Sequence, residues 1–373
     1  MYRVIEKVII ESCRDLRKRN QVSITDVIRL FIRGMPYGSM SLHALDNIGR
    51  TLNIKKQIGT KRKITASDTT LSRLFNNQLE IPDNLAAMVL KEILPLLPPV
   101  EKKRLLIVDG SGQSGRLYSV AALNWNSPIV VGIEKQEKHG KELPVSRELI
   151  ERLCLEMGEW FDLIVGDALY FDAKLFKAAL TRGKHLFVKT REENLEIVQF
   201  TESVYRVEKA SVWKKRKERE RFDNVRGLFY RVFRVDNYMY RDLALQCYRV
   251  EERDPKTGKR EVFFCITTAP DISRSEAREI AKSRWQIENN VFPAHLLTKV
   301  EGGRHGNQLF HTKRKLFRND DANRKYLTLL YLLLGLFQLL FVQALHAGVF
   351  TPHSMNLKAF IELTISLYPA TIV

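Results

Sequence analysis

The sequence predicts an α/β protein built on a mixed sheet with helices on both faces. Residues 104–109, 116–123 and 127–136 are three consecutive apolar segments, as expected for strands that begin a sheet antiparallel. After them, short apolar runs alternate with helix-like segments, which is typical of strands joined through helices. A β-rich insertion and an all-helical N-terminal region complete the predicted architecture.

Changes of pattern along the chain predict four regions. Residues 1–100 show helical periodicity, and the proline-rich residues 94–99 end that region. Residues 101–194 contain the first part of the sheet, and residues 195–268 are the β-rich insertion. The insertion is predicted from runs rich in Val, Phe and Tyr, in which apolar and basic residues alternate. Residues 269–373 return to a helical pattern.

Charge and cysteine content indicate the partner and the compartment. The 373-residue chain has 61 Lys plus Arg against 43 Asp plus Glu, a formal net charge of +18. Such an excess favours a polyanion, either nucleic acid or an anionic membrane surface. The four cysteines lie far apart without zinc spacing, and the N-terminus lacks the pattern of a signal peptide. We therefore expect a reduced, cytoplasmic protein.

One apolar stretch is long enough to span a membrane. Residues 327–345 have the required length, but Arg324 and Lys325 precede them and Gln338 and Gln343 interrupt them. A helix that is apolar on all sides is also what the interior of a large domain requires. We favour a buried helix and expect no membrane partner.

Two basic clusters are candidates for contacts with nucleic acid. One lies in the N-terminal region, and the other places four consecutive cations beside a tryptophan, which could stack on a base. The alternatives are a helical cap on the next domain for the first region and a solvated loop for the second cluster. The candidate residues are Lys55, Lys56, Lys61, Arg62, Lys63, Trp213, Lys214, Lys215, Arg216 and Lys217.

Three acidic residues are candidates for a metal site. Asp109 ends the apolar run 105–108, Asp167 follows a second such run, and Glu288 lies in a helical segment one turn after Arg284. A carboxylate at the end of a buried strand is costly unless it is paired, hydrogen-bonded or bound to a metal. Hard oxygen ligands favour Mg²⁺ or Mn²⁺. The alternative is that each aspartate is a local cap or turn former.

The settings of these acids resemble those of the DDE transposases of bacterial insertion sequences. Asp-Gly-Ser begins at Asp109, Val-Gly-Asp-Ala contains Asp167, and Arg-Trp-Gln-Ile-Glu ends at Glu288. The resemblance covers roughly residues 100–345, and RWQIENN, which begins at Arg284, is its most specific part. The branch that it is similar to has a Tyr-Arg-Glu-Lys signature and a β-rich insertion.

The resemblance implies both a fold and an activity. The fold would be a ribonuclease H-like sheet, and Asp109, Asp167 and Glu288 would bind Mg²⁺ or Mn²⁺. The protein would cleave transposon ends and transfer the strands to target DNA, acting as a homodimer on DNA in a bacterial cytoplasm. Arg284 would act beside Glu288, at the phosphate next to the cleaved bond.

Two positions depart from the signature of that branch. Ala281 stands in place of the tyrosine, and His295 in place of the lysine, whose role could pass to His295 or Lys299. Alternatives are a transposase-derived DNA-binding protein that no longer cuts and a stand-alone nuclease of the same fold. The GSGQSG turn after Asp109 also suggests a sugar kinase or an actin-like ATPase, but those folds need a second such loop, which the sequence lacks.

Overall fold

The structure is a computed structural model, and it has an α/β fold in which helices flank a large mixed sheet. It describes residues 2–17, 22–34, 42–50, 66–97, 103–113, 116–125, 128–137, 142–212, 220–284, 317 and 319–349.

Helices and strands alternate through most of the described chain. The helices are α1 (Tyr2–Ser12), α2 (Ile24–Gly34), α3 (Leu42–Gly49), α4 (Asp68–Arg73), α5 (Leu85–Ile93), α6 (Glu142–Met157), α7 (Ala173–Thr181), α8 (Glu196–Val212), α9 (Arg274–Ser283) and α10 (Asp320–His346). The strands are β1 (Arg14–Asp15), β2 (Leu79–Glu80), β3 (Leu105–Gln113), β4 (Arg116–Asn124), β5 (Pro128–Lys135), β6 (Leu163–Gly166), β7 (His185–Thr190), β8 (Arg221–Asp223), β9 (Leu228–Tyr240), β10 (Leu243–Arg253) and β11 (Arg260–Thr267).

Nine of these strands form one sheet, in the order β5-β4-β3-β6-β7-β11-β10-β9-β8. β3 pairs with β6, and β6 with β7, in parallel. β4 and β5 pair antiparallel, and so do β7 with β11 and each neighbouring pair from β11 to β8. The mixed sheet predicted from the sequence is therefore confirmed.

The chain divides into two compact units. The first consists of Met1–Lys102, Gly110–Met157 and Ile287–Val373, and the second of Lys103–Asp109 and Gly158–Gln286. The four regions predicted from the sequence stay a prediction.

Helix α10 lies in the core of the first unit. It is long and apolar enough to cross a membrane, but 67% of its most apolar window is buried within the protein. Gly335 allows it to approach β5 closely, because a Cβ there would lie 2.8 Å from the Cα of Ile129. At its other end, Tyr326 packs against the rings of Phe31 and Phe75. These contacts make α10 a mostly buried helix of this unit, as the sequence favoured.

The N-terminal region is mostly helical, but the prediction that it is all helical was wrong. β1 and β2 form a two-stranded sheet in which Arg14 pairs with Glu80, and Asp15 with Leu79. Arg17 binds Asp15 through Nε at 2.7 Å and through Nη2 at 2.5 Å. A two-residue strand has no periodicity, so nothing in the local pattern could indicate it.

The second unit carries helices on both faces of its sheet. α9 covers the face that includes Cys265, whose Sγ lies 3.9 Å from the carbonyl oxygen of Ala277. α8 covers the opposite face, where Arg249 Nε donates to Glu202 Oε1 at 2.7 Å. Successive side chains of a strand point to opposite faces, so each strand between these helices contributes to both layers.

Helix α8 was not predicted. We expected strands from residue 195 onwards, whereas the first strand of that stretch is the short β8. The signal was present in the sequence, because Ile197, Val198 and Thr201 are buried at the i, i+1, i+4 spacing of a helix face.

Candidate active site

The neighbouring parallel strands β3, β6 and β7 carry charged residues at corresponding positions. Asp109 lies in the middle of β3, Asp167 directly follows β6, and Lys189 lies near the end of β7. β3 and β6 are in register at Ile107 and Val165, and Asp109 and Asp167 lie two residues beyond that pair. Val165 is in turn in register with Phe187 of β7, so Lys189 lies two residues beyond that pair. Neighbouring strands lie about 4.8 Å apart, and residues in one row point to one face. The strand register therefore brings two acids and one lysine together.

Asp109 is buried beside a cation. The residue is only 7% exposed, and Arg284 Nη1 donates to its Oδ2 at 3.2 Å. Both side chains are largely buried, so the pair is only weakly screened by solvent. Arg284 directly follows α9 and stands at its C-cap. We expected Arg284 to act beside Glu288, and the structure places it against the first aspartate.

Asp167 is less enclosed, and it caps a short helix. Its Oδ1 accepts a hydrogen bond from the backbone N–H of Leu169 at 3.0 Å, at the start of the single 3₁₀ turn Ala168–Tyr170. The capping role that the sequence allowed for this aspartate is therefore present. A carboxylate has two oxygens with about four acceptor positions, so one capping bond leaves capacity for a metal ion.

Each aspartate has a glycine beside it that is closely packed. A Cβ at Gly166 would lie 2.6 Å from Cγ of Tyr170, and a Cβ at Gly110 would meet the carboxylate of Glu142. The carboxylate of Glu142 therefore packs against the backbone of the residue that follows Asp109. We did not single out Glu142 from the sequence, because no local pattern connects this first residue of α6 with Gly110 in β3.

Lys189 is the second functional candidate that the sequence did not reveal. The residue is 7% exposed, and its ammonium lies over the ring of Phe263 at 4.5 Å from the centroid. Burial lowers its pKa to about 8. The available signal was a lysine near the end of the otherwise apolar strand HLFVKT, which was predicted at its correct bounds.

Helix α9 is anchored at both ends, and this holds Arg284 in place. Ser273 and Glu276 form a capping box at its start, as the sequence predicted. At the middle of the helix, Arg278 donates to Glu252 at 2.5 Å and to Asp223 at 2.8 Å, and near the other end Lys282 Nζ donates to Glu252 at 2.7 Å. The guanidinium also lies over the ring of Tyr230, 4.1 Å from the centroid. The position of Arg284 thus follows from a helix fixed to three strands of the sheet.

The donor atoms at this edge of the sheet suit a hard divalent ion. Asp109 in β3 and Asp167 directly after β6 supply carboxylate oxygens, the ligand type that Mg²⁺ and Mn²⁺ prefer. Among the described residues, no group of three or more His, Cys, Asp or Glu side chains could hold a metal. Glu288, the third ligand that the sequence predicts, lies outside the described residues.

Several other predicted site residues also lie outside the described part of the chain. They belong to both basic clusters and to the stretch that follows Arg284. These residues are Lys55, Lys56, Lys61, Arg62, Lys63, Trp213, Lys214, Lys215, Arg216, Lys217, His295 and Lys299.

No protein-family model and no curated protein matches the sequence.

Proposed function

We propose that the protein is a metal-dependent DNA transposase of the DDE type, which cleaves transposon ends and transfers the cut strands. One observation supports the proposal: Asp109 and Asp167 each lie two residues beyond the last registered pair of the neighbouring parallel strands β3 and β6, and Arg284 contacts Asp109. The two aspartates of the predicted motif thus come to neighbouring strands although 57 residues lie between them in the sequence. Random aspartates in turns have no reason to share a row.

The fold supports the same proposal. Three strands come first, and helices and strands then alternate, which is the order expected of a ribonuclease H-like core. The sheet continues through β11 into the β-rich segment that the resemblance places between the second aspartate and the glutamate. We propose on this basis that the core is ribonuclease H-like.

The residues present suit phosphodiester cleavage. Asp109 and Asp167 would hold Mg²⁺ or Mn²⁺ together with Glu288. When bound, such ions activate water and stabilise the leaving oxygen. Arg284 offers a planar guanidinium, which binds phosphate oxygens with defined geometry. In the structure Arg284 balances the charge of Asp109, and a phosphate would give the guanidinium a second anionic partner.

The test is cleavage of DNA that contains the flanks of the coding region, with the purified full-length chain. We expect cuts only when Mg²⁺ or Mn²⁺ is present, because the bound ions would activate the attacking water and stabilise the leaving oxygen. Asp109→Asn, Asp167→Asn and Glu288→Gln should each abolish cleavage and leave DNA binding in place. Full cleavage by any of these variants would remove that acid from the site.

The matched control is Asp162→Asn. Asp162 precedes β6, whereas Asp167 follows it, and its carboxylate pairs with Arg104 at 2.9 Å. Asp162→Asn removes an acid next to the opposite end of β6, away from Asp167, so this variant should cleave at the wild-type rate. Equal losses in Asp162→Asn and Asp167→Asn would indicate damage to the fold and not to a site.

A second candidate is a transposase-derived protein that binds DNA without cutting it. Ala281, which stands in place of the signature tyrosine, is fully buried in α9, so the helix offers no phenol there. Sequence-specific binding to the flanks without cuts under any metal condition would favour this candidate. A third candidate, a stand-alone nuclease, would cut but would not join the cut strands to a target duplex.

A further inference from the structure

We propose that Lys189 is a phosphate-binding residue of this site, and that with Arg284 it forms an oxyanion subsite for the DNA phosphate beside the acids. The inference rests on the proposed function. It assigns a role to a residue that the Asp-Asp-Glu motif does not include.

The register of the sheet places Lys189 in the acid row. β6 and β7 pair in parallel over four residue pairs, from Leu163 with His185 to Gly166 with Val188. The next residues of the two strands are Asp167 and Lys189. The lysine is thus the neighbour of the second aspartate, as that aspartate is the neighbour of Asp109.

The pairing of β7 with β11 shows which face of the sheet Lys189 lies on. On β11, Cys265 is paired with Lys189 and lies under α9, where its Sγ is 3.9 Å from Ala277 O. Paired residues point to the same face, so the lysine lies on the face that α9 covers. Arg284 follows α9 directly, and its charge is near enough to Lys189 to act on its pKa. Two cations therefore stand beside two acids on one face.

The surroundings of Lys189 suit a ligand of negative charge. Its ammonium lies over Phe263, and burial lowers the pKa to about 8, so the charged form is costly where it stands. A phosphate oxygen would favour that charged form by direct attraction and by a hydrogen bond. Acids alone would repel the DNA backbone, and the two cations offset that repulsion at the point where the phosphate enters.

The test is a charge cycle between the lysine and one phosphate. The cut position is first mapped with the wild-type chain, and two duplexes are then made with either a phosphate or an uncharged methylphosphonate at that position. Binding is measured by fluorescence anisotropy without divalent metal. The wild type should lose about tenfold or more in affinity when the charge is removed, the range of a hydrogen bond to a charged group.

Two neutral variants, Lys189→Met and Lys189→Gln, should show a much smaller ratio of affinities for the phosphate and methylphosphonate duplexes, because the partner of the phosphate is gone. Lys189→Arg should retain the ratio. The matched control is Lys184→Met, since Lys184 precedes the same strand at its other end and its ammonium also lies over a phenyl ring, that of Phe161. The control should behave as the wild type does.

The outcomes separate this inference from the proposed function. If the wild type cuts and the neutral variants that fold keep its full ratio, Lys189 does not contact the phosphate and the inference fails alone. If the wild type cuts no DNA, the proposed function fails and the inference falls with it. Failure of both neutral variants to fold would make Lys189 a structural residue and would overturn the inference.

Discussion

At the scale of single residues, Asp109 is the side chain with the most demanding environment. It is buried in the middle of β3, and Nη1 of Arg284 lies 3.2 Å from its Oδ2. Breaking a buried ion pair by removing one partner is usually costly, because the other charge stays away from water. A divalent ion at the same carboxylate would take over part of the role of the arginine.

Arg284→Ala should therefore affect both stability and activity. We expect the free energy of unfolding to fall by about 3 kcal/mol without metal, the typical cost of leaving a buried charge without its partner. Cleavage should also fall, because the guanidinium is the proposed contact to the phosphate. Chemical denaturation and a cleavage assay on the same preparation measure the two effects.

Added Mg²⁺ distinguishes the two roles of Arg284. Because the ion would neutralise Asp109, it should restore stability to Arg284→Ala more than it stabilises the wild type, while cleavage stays low. A variant that melts early but cuts at the wild-type rate with metal present would make Arg284 a purely structural partner.

The sequence predicted some of these residues and not others, for a physical reason. Asp109, Asp167 and Arg284 stand in local patterns, namely an acid after a buried strand and an arginine one turn before a glutamate. Lys189 and Glu142 have no such pattern, because their positions depend on strand register and on packing between distant parts of the chain. Single-sequence patterns do not encode register, so these two became visible only in the folded chain.

At the scale of elements, α9 decides where Arg284 lies. Its buried arginine, Arg278, is 2% exposed and joins α9 to Glu252 on β10 and Asp223 on β8. Lys282 Nζ adds a bond to Glu252 at 2.7 Å. The helix is thus tied to the strands by charges within the protein, and not only by its apolar face.

Arg278→Met should destabilise the protein by about 3–5 kcal/mol, because the buried carboxylate of Glu252 and the partly buried carboxylate of Asp223 lose this guanidinium. Cleavage should also fall in the fraction that remains folded, since a displaced α9 moves Arg284. The control is Arg274→Ala, an exposed position on the same helix. A loss of stability equal to that of the control would show that the network does not anchor the helix.

The same network predicts a dependence of stability on pH. Burial raises the pKa of Asp223, but hydrogen bonds from Arg278 and Arg226 outweigh that effect and hold its pKa well below the usual range. The unfolded chain therefore takes up the proton first, at about pH 4. The stability that Asp223 provides is present above that pH and is lost as the pH falls below it.

Free energies of unfolding measured between pH 6 and pH 3 should show this loss. It should begin near the usual aspartate pKa of about 3.9, where the unfolded chain takes up its proton. Asp223→Asn should be less stable at neutral pH and should lose less on acidification. Parallel curves for the two proteins would mean that another carboxylate is responsible.

The elements themselves were predicted with uneven success. β7 and the capping box of α9 were predicted correctly because their signals are local. Helix α8 was missed because the expectation of a β-rich insertion extended over it. The pairing of β1 with β2 joins segments more than 60 residues apart, so no local pattern could contain it.

At the scale of the whole molecule, the net charge of +18 favours a polyanionic partner. The affinity for DNA should fall linearly with salt on logarithmic axes, with a slope of about 0.9 for each neutralised phosphate. Replacing Lys214, Lys215, Arg216 and Lys217 with Ser should flatten that slope if these residues contact phosphates. The slope is measured by anisotropy over a series of salt concentrations.

The control for that series removes the same charge elsewhere. Lys174, Lys177, Lys256 and Lys259 are exposed lysines of the second unit, and neutralising them together changes the net charge equally. Equal slopes for the two variants would mean that only net charge matters. A slope lowered only in the first variant would identify the basic run as a contact surface.

The central claim is that Asp109 and Asp167 hold a divalent metal ion, and it can be tested without knowing the DNA ends. Fe²⁺ can replace Mg²⁺ at oxygen sites, and with peroxide and ascorbate it generates radicals that cut the polypeptide near the bound ion. Mass spectrometry should find cuts beside Asp109 and Asp167. Excess Mg²⁺ should suppress them, Asp167→Asn should abolish them, and Asp162→Asn should retain them. An absence of cuts beside both Asp109 and Asp167, or cuts that persist unchanged in Asp167→Asn, would contradict the account.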